Sequence, residues 1–183
     1  MDVPATAWYA PYVEYATVNK LMSGIGNRCF SPDTVLTRGM FVTMLARLAG
    51  VNQADYPDSR FADVEASAWY APSVSWAASK GIVSGVGDGK FAPNRNITRQ
   101  EMAVMFYGML FGTDSILAED DIKLALGAFK DGDTVASWAR EAVAVCYISG
   151  IMVGDNGSFK PTDLLSRAQL AQVFLSLIHI SEP

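Results

Sequence analysis

The sequence has little of the residue types from which most catalytic centres and metal sites are built. It contains one histidine, His179, and two cysteines, Cys29 and Cys146. It has no Cys-x-x-Cys or Cys/His zinc pattern, and a Ser-His-Asp or Cys-His centre would depend on His179 alone. The two cysteines occupy different places in the sequence pattern described below, so we expect both to be free thiols. We therefore predict no catalytic residues, no metal and no cofactor.

Long apolar runs and an excess of positive charge are also absent. No stretch of about 18 apolar residues occurs, so no segment is predicted to span a membrane. The net charge of −5 argues against nucleic acid or anionic lipid as a partner. The chain carries no signal peptide and begins inside a repeat at Asp2. We therefore expect a fragment of a longer protein, from which any targeting signal has been removed.

What the sequence does contain is one pattern that occurs three times, within a chain apolar enough to bury a core. Each copy has an aspartate, then a tryptophan, and a glycine sixteen residues after the tryptophan. A phenylalanine follows, with a proline two residues later and a hydroxyl residue plus arginine five residues after that. The three sets are Asp2, Trp8, Gly24, Phe30, Pro32, Thr37-Arg38; Asp63, Trp69, Gly85, Phe91, Pro93, Thr98-Arg99; and Asp131, Trp138, Gly154, Phe159, Pro161, Ser166-Arg167.

Each copy is predicted to form two helices joined by a turn-rich connection, which makes the fold mostly α. The first helix follows the tryptophan, with Pro11 and Pro72 in its first turn and Gly81 and Gly150 at its end. The second helix begins at the hydroxyl residue and carries apolar residues at helical spacing. Three such helix-loop-helix repeats suit a closed arrangement as well as an extended array.

The copies are separated by two linkers and followed by a short tail. The predicted boundaries are motif 1 at 1–50, a linker at 51–60, motif 2 at 61–112, a linker at 113–128, motif 3 at 129–178 and a non-repeat tail at 179–183. The second linker contains the acidic run Glu119-Asp120-Asp121. This run indicates a solvated face or the start of a short helix, with a cation site as the lesser alternative.

Local helix chemistry does not explain why all three copies have an arginine at this position. Thr98 and Glu101 form a predicted capping box, and Ser166 and Gln169 can form the same pair. In the first copy Met40 replaces the glutamate, so Thr37 is expected to cap alone. Capping does not explain the arginine, because the helix dipole disfavours a cation in the first turn. A buried ion pair and an anchor for a bound anion both remain open.

The other shared residues also have two interpretations. The tryptophans either fill the core or offer an aromatic face to a sugar. The aspartates precede the first helix, where each is either a cap or a partner for an arginine. The Gly-Asp-Gly turns lack the alternating acidic positions of an EF-hand, so calcium is not expected.

The second copy resembles the S-layer homology motif. Its pattern Asp-Val…Trp-Tyr…Gly-Ile-Val-Ser-Gly-Val-Gly-Asp-Gly-Lys-Phe-Ala-Pro-Asn…Ile-Thr-Arg-Gln-Glu is similar to that motif, whose late signature is Ile-Thr-Arg-Ala-Glu. The resemblance covers residues 1–178 as three motifs. It implies a pseudo-threefold domain with a central three-helix bundle and grooves between neighbouring motifs. It also implies an extracellular, non-catalytic module that anchors secreted proteins to secondary polysaccharides of the bacterial cell wall, often pyruvylated.

The resemblance also implies which residues bind the glycan. The motif arginine engages the anionic ketal, helped by the tryptophan and by glycine-rich backbone. Met40, Gln169 and Ala139 depart from the motif, which implies unequal grooves. The candidate carbohydrate-binding residues are Arg38, Arg99, Arg167, Trp8, Trp69, Trp138, Asp2, Asp63, Asp131, Gly24, Gly85, Gly154 and Glu101.

Two other functions remain as alternatives. One is a protein-interaction or assembly module of the cell surface, with self-association in a surface layer, in which the arginines are structural. The other is an enzyme on wall glycan, but no repeated pair of carboxylates suggests one. Because domain and polymer are both acidic, glycan recognition would have to rest on local arginine contacts rather than long-range attraction.

Overall fold

The computed structural model describes residues 2–57 and 59–181, with side chains as far as Leu177. The side chain of His179 and the end of the predicted tail, Glu182 and Pro183, lie outside the described residues. Within these ranges the backbone forms seven α-helices, three short 3-10 helices and only isolated β-bridges. The mostly α fold class is therefore confirmed. None of the described helices is long and apolar enough to cross a bilayer.

The α-helices occur as a pair in each motif, with one additional helix before motif 3. They are α1 (Ala10–Val18), α2 (Arg38–Leu48), α3 (Ala71–Ser79), α4 (Arg99–Leu110), α5 (Glu119–Leu126), α6 (Arg140–Ile148) and α7 (Arg167–Ser181). The 3-10 helices are Gln53–Asp55, Gly132–Thr134 and Ser137–Ala139. Helix α7 continues through Ser181, three residues into the segment predicted as a tail.

The first helix of each motif ends as the glycine pattern predicts. Gly81 and Gly150 follow α3 and α6 with φ of 72° and 71°, the left-handed conformation that glycine adopts without strain. In motif 1, Lys20 takes this position with φ of 58°. The next residue then folds back, as where Ile82 N–H donates to the carbonyl of Ala77 at 2.9 Å.

The second helices begin with the caps that the sequence predicts. Thr98 and Glu101 form a reciprocal capping box at α4. Ser166 and Gln169 form the same two hydrogen bonds at α7. At α2, where Met40 replaces the glutamate, the Thr37 side chain alone accepts from the backbone of that residue.

The linker before motif 3 contains the additional helix. The acidic run forms the exposed first turn of α5, where its charge suits the helix dipole. Ile122, Ala125 and Leu126 are buried on the other side of this helix, which packs against α6. The predicted start of a short helix is confirmed.

The helices of the three motifs pack in a cyclic order. Helix α2 of motif 1 packs against α3 of motif 2, and α4 of motif 2 packs against α6 of motif 3. Helix α7 of motif 3 then packs against α1 of motif 1. Each motif therefore covers its successor, and the last covers the first, so the packing leaves no terminal repeat uncovered.

Backbone hydrogen bonds follow the same cycle. The first N–H of each second helix, which has no partner inside its own helix, donates to a carbonyl just after the Phe-x-Pro segment of the next motif. These bonds are Arg38 N to Arg95 O at 2.9 Å, Arg99 N to Asp163 O at 2.9 Å and Arg167 N to Thr34 O at 3.0 Å. The segments before the helices also pair, through Thr37 with Asn96, Thr98 with Leu164 and Val35 with Ser166.

The second helices meet at three fully buried phenylalanines. Phe106 of α4 contacts Phe41 of α2 and Phe174 of α7 edge to face, with ring centroids 5.1 and 6.5 Å apart. This junction and the cyclic packing support the pseudo-threefold arrangement around a central three-helix bundle, which stays a prediction.

Replacing the middle ring of this junction should destabilise all three motifs together. We expect Phe106→Ala to lower the free energy of unfolding by about 3–5 kcal/mol, because it leaves a cavity where three motifs meet. Urea unfolding followed by tryptophan fluorescence and by circular dichroism should give one coincident transition. Leu124→Ala, at a position 79% exposed on α5, is the control and should change stability by less than about 0.5 kcal/mol. Separate transitions for separate motifs would contradict this prediction.

Candidate functional site

In each motif both the backbone N–H and the backbone carbonyl of the shared phenylalanine are hydrogen-bonded by side chains. In motif 2, Phe91 N–H donates to Oδ1 of Asp63 at 2.8 Å, and the next N–H, of Ala92, donates to Oδ2 at 2.7 Å. The carbonyl of Phe91 accepts from Nε of Arg38 at 2.9 Å, and that guanidinium lies 4.6 Å from the ring centroid. The aspartate belongs to the same motif, whereas the arginine comes from the preceding one. We call this unit the phenylalanine clamp.

The clamp recurs in the other two motifs, again with an arginine from the preceding motif. Hydrogen bonds from arginine Nε to the phenylalanine carbonyl measure 2.7 and 2.9 Å, and the guanidinium-to-ring distances are 5.0 and 4.4 Å. The two clamps are Asp131–Phe159–Arg99 and Asp2–Phe30–Arg167. A cation over an aromatic face adds attraction to the hydrogen bond. The three arginines therefore join the motifs in the same cycle as the helices.

The shared aspartates do not cap the first helices. The residues at those cap positions are Tyr9, Tyr70 and Ala139, which make no side-chain cap bond. Among the described residues none of the three aspartates forms an ion pair with an arginine, although each acts on the clamp arginine through its charge. The aspartates instead fix the backbone around the phenylalanine. Their predicted role in glycan binding stays a prediction.

The three arginines differ in their surroundings. Arg38 donates to Oε1 of Glu101 at 3.1 Å, and Arg95 is paired with the same oxygen. Arg99 and Arg167 form no ion pair within the described part of the chain. The buried ion pair therefore applies to Arg38, and the two other arginines rest on carbonyls and rings. Desolvation lowers the pKa of all three arginines.

The three shared tryptophans are on the surface. Trp8, Trp69 and Trp138 are 56%, 59% and 59% exposed. Of the two interpretations of these tryptophans, the one in which they fill the core is wrong, because the core is formed by the phenylalanines and the apolar faces of the helix pairs. The rings of Trp8 and Trp69 pack edge to face with those of Tyr9 and Tyr70. Their remaining faces are open to solvent.

Three grooves bring the predicted site residues together, and we name each after its arginine. The Arg38 groove contains Gly85, Val86, Glu101 and Trp138. The Arg99 groove contains Gly154, Val153, Gln169 and Trp8. The Arg167 groove contains Gly24, Ile25, Met40 and Trp69.

Every groove draws on all three motifs. In the Arg38 groove the arginine belongs to motif 1, the glycine turn and the helix wall to motif 2, and Trp138 to motif 3. The other two grooves have the same composition when every component is taken from the next motif along the cycle. The repeat pattern identified these components, and the resemblance implied grooves between neighbouring motifs, but neither indicated that each groove uses all three copies.

The shared glycine allows the turn of each groove to close tightly. At Gly85 a Cβ would lie 2.6 Å from the carbonyl oxygen of Lys90, which already accepts from Val86 N–H. A Cβ at Gly24 or Gly154 would lie 2.8 or 2.7 Å from the matching carbonyl. Any side chain here would push the turn open, so the glycines have a structural role whatever the groove binds.

The grooves are unequal in size and charge. Their volumes are about 580 Å³ for the Arg38 groove, about 310 Å³ for the Arg99 groove and about 140 Å³ for the Arg167 groove. In the first groove Glu101 neutralises part of the arginine charge. Met40 and Gln169, which occupy the matching positions, cannot do so in the other two grooves.

Sequence reasoning missed the apolar residue beside each groove glycine. Ile25 and Val86 follow Gly24 and Gly85, and both line their grooves while 64% and 47% exposed. Val153, just before Gly154, lines the third groove and is 64% exposed. An exposed β-branched residue at a turn in every copy is a signal that the repeat comparison could have provided.

Reactive and metal-binding groups are not gathered in the described part of the chain. No cluster of three or more histidine, cysteine, aspartate or glutamate side chains there could hold a metal ion. Both cysteines are free, as expected. Burial raises the pKa of Cys146 to about 12, which keeps this thiol protonated.

Comparison with known proteins identifies a recurring domain. A family model of the S-layer homology domain matches residues 2–39, 60–103 and 128–171. The chain is 32% identical over 183 residues to an endoglucanase of Bacillus sp. (strain KSM-635), a match that covers 97% of this chain and 18% of the relative. It is 28% identical to the surface-layer 125 kDa protein of Lysinibacillus sphaericus over 84% of this chain and 13% of that protein. It is 26% identical to a cellulosome-anchoring protein of Acetivibrio thermocellus over 92% and 36%.

The clamp aspartate should stabilise the fold in a pH-dependent way. Desolvation acts to raise the pKa of Asp63, but the N–H groups of Phe91 and Ala92 and further local contacts lower it more, so the net shift is downward. The stability that this carboxylate contributes is then present above its unfolded pKa of about 3.9 and is lost as the pH falls through the folded value. We expect Asp63→Asn to cost roughly 1 kcal/mol near neutral pH, since the site is only partly buried.

Urea unfolding of wild type and variant at several pH values measures this effect. The gap between the two should shrink when the pH is lowered below about 4. Asp88→Asn, in the exposed glycine turn of the same motif, serves as the matched control and should show little effect at any pH. A gap for Asp63→Asn that stays constant across the whole range would refute the proposed charge dependence.

Proposed function

Since the chain belongs to the S-layer homology domain family, we propose that it anchors its parent protein by binding an anionic, pyruvylated wall polysaccharide in its three grooves. At the coarser level the domain is a non-catalytic module of the bacterial cell surface with a cell-wall anchoring role. The identity of the polymer and the use of the grooves belong to the proposal.

The observation that carries the proposal is the repeated meeting of one arginine and one exposed tryptophan in each groove. Arg38 and Trp138 line one groove, Arg99 and Trp8 the second, and Arg167 and Trp69 the third, each together with the shared glycine. A large, exposed aromatic beside a largely buried cation suits a ligand that combines an apolar ring face with a negative charge. A sugar that carries a carboxylate ketal is such a ligand.

The components of a groove then have separate tasks. The guanidinium donates to the carboxylate, in a geometry that the clamp has already fixed. The tryptophan covers the C–H face of the sugar ring, and the apolar turn residue, Val86 in the Arg38 groove, packs against the ketal methyl group. Pre-organised donors lower the entropy cost of binding.

Local contacts must overcome an unfavourable overall charge. With a net charge of −5, the domain gains no long-range attraction toward an acidic polymer. One charge-assisted hydrogen bond contributes roughly 1.5–3 kcal/mol, so a single groove is expected to bind modestly. Two or three grooves on one polymer chain would raise the overall affinity through avidity.

The activity of the whole parent protein lies beyond this domain. The chain spans between 9% and 36% of the length of the relatives named endoglucanase, amylopullulanase and cellulosome-anchoring protein. We propose that any catalytic activity of the parent protein resides in another domain, which this module holds at the wall.

Replacing the exposed tryptophans should test glycan binding without removing the clamps. The arginines are poor first targets, because Arg38 and Arg167 are buried between motifs and their loss would disturb the fold. We expect the triple variant Trp8→Ala, Trp69→Ala, Trp138→Ala to bind purified sacculi at least about tenfold more weakly, since each aromatic contact contributes about 1 kcal/mol or more. Sacculi stripped of their secondary polymer should not bind the wild-type chain.

The controls separate lost binding from lost folding. Leu124→Ala should bind sacculi like the wild type, and the triple variant should keep its helical circular dichroism. Equal binding to stripped and intact sacculi would instead favour the protein-interaction module. Release of soluble sugar from the sacculi would favour an enzyme.

A further inference from the structure

The Arg167 groove contains a second arginine that is not repeated in the other motifs. Arg47 lies in the last turn of α2 and lines this groove. It stands ten residues after Thr37, and the residues ten after Thr98 and Ser166 are Gly108 and Ser176. Arg47 is therefore not included in the pattern that the three copies share.

Both arginines of this groove are held on one residue. Nη2 of Arg167 donates to the carbonyl oxygen of Ser23 at 2.6 Å, and Nη1 of Arg47 donates to Oγ of the same serine at 3.3 Å. Nε of Arg167 is used by Phe30. The hydrogen bonds recorded for the described residues leave Nη1 of Arg167 and most donors of Arg47 for a ligand.

The three grooves differ in the charges that line them. Glu101 lies between Arg38 and Arg95 and pairs with both. Asp155, itself paired with Lys160, lies in the groove of Arg99.

In the Arg167 groove no carboxylate is among the lining residues that the structure describes, and Met40 stands where the first groove has Glu101. Its two lining charges, Arg47 and Arg167, are therefore both positive.

The two positive charges act on each other. Desolvation lowers the pKa of Arg167, the charge of Arg47 lowers it further, and Asp2 behind the clamp acts in the opposite direction. Two like charges that share an environment favour an anion between them. The carboxylate of Asp2 does not fill that place, because it is held on the backbone of Phe30 and Ser31 and is not among the residues that line the groove.

The volume of the Arg167 groove limits the size of the chemical group that can enter it. Its volume of about 140 Å³ is below the range of about 300–1,000 Å³ typical of pockets that enclose a whole small molecule. It suits a carboxylate-bearing substituent, while the sugar ring remains outside against Trp69.

We propose that Arg47 and Arg167 together bind the carboxylate of the glycan substituent, which makes the Arg167 groove the acid-selective groove of this domain. This rests on the proposed function and adds to it a binding residue, Arg47, and a ranking of the three grooves. The Arg38 groove, larger and partly neutralised by Glu101, contributes less to charge recognition.

If Arg47 had only a structural role, its replacement would change the stability of the domain and not its affinity for the acid. A cation in the last turn of a helix is stabilising through the helix dipole, and Arg47 would then affect only stability. The matching residues Gly108 and Ser176 show that α4 and α7 form without such a cation. Binding and thermal stability therefore have to be measured on the same variants.

The test uses the 183-residue chain and a methyl glycoside that carries a pyruvate ketal, with the methyl ester of that ketal as a neutral probe. By titration calorimetry we expect Arg47→Gln to lower affinity for the acid by about tenfold, the size of one charge-assisted hydrogen bond. Affinity for the ester should change less than about twofold, and Arg47→Lys should retain most acid binding. Backbone and indole NMR signals of Ser23, Gly24 and Trp69 should shift with the acid.

Arg60→Gln is the matched control, since it removes one exposed arginine that lines none of the three grooves. It should leave acid affinity within about twofold of wild type. Unchanged acid affinity in Arg47→Gln, an equal loss in Arg60→Gln, or equal binding of acid and ester would each overturn the groove assignment. The proposed function would still stand if the wild type bound sacculi through their polymer. Failure of the wild type to bind both sacculi and probe would overturn both.

Discussion

The phenylalanine clamp is the interaction on which the rest of the structure depends. In motif 2, Asp63 holds the N–H of Phe91 while Arg38 of the preceding motif holds its carbonyl and covers its ring. The same peptide thus belongs to the turn of one motif and to the interface with another. Because this link is repeated around the cycle, the motifs cannot be placed independently. The glycine turns, the helix starts and the grooves all take their positions from it.

The clamp also explains why the arginine is difficult to assign to a single role. Arg38 donates from Nε to the backbone of Phe91 and places its guanidinium at the edge of a groove. There Nη1 donates to Glu101 and Nη2 to the carbonyl of Ser84, which leaves one hydrogen on each of these nitrogens for a ligand. An arginine that joined the motifs through all its donors would have none to offer a ligand, and a free one would lack a fixed position. The two alternatives that the sequence left open, structural partner and anion anchor, are therefore compatible within one side chain.

Local features were predictable, whereas features that depend on the assembly were not. Gly81 and the Thr98–Glu101 box act within a few residues of the chain, so the sequence alone was enough to predict a helix end and a helix start. The exposure of Trp69 depends on which surfaces the other motifs cover, so the sequence alone left a core position and a surface position both open for this side chain. Arg47 was missed for another reason. A comparison of repeats selects what the copies share and hides what one copy has alone.

Because each groove is assembled from three motifs, the three motifs together are the smallest unit that contains one complete groove. One motif contributes an arginine to one groove, a turn to a second and a tryptophan to a third. Losing a motif would therefore damage every groove at once instead of removing a third of the capacity. Sequence differences between the copies act in the opposite way, because each difference changes one groove and leaves the other two as they are. Met40 in place of a glutamate, and Arg47, each alter a single groove. Under the proposed function, glycan preference can therefore differ from groove to groove while the architecture stays fixed.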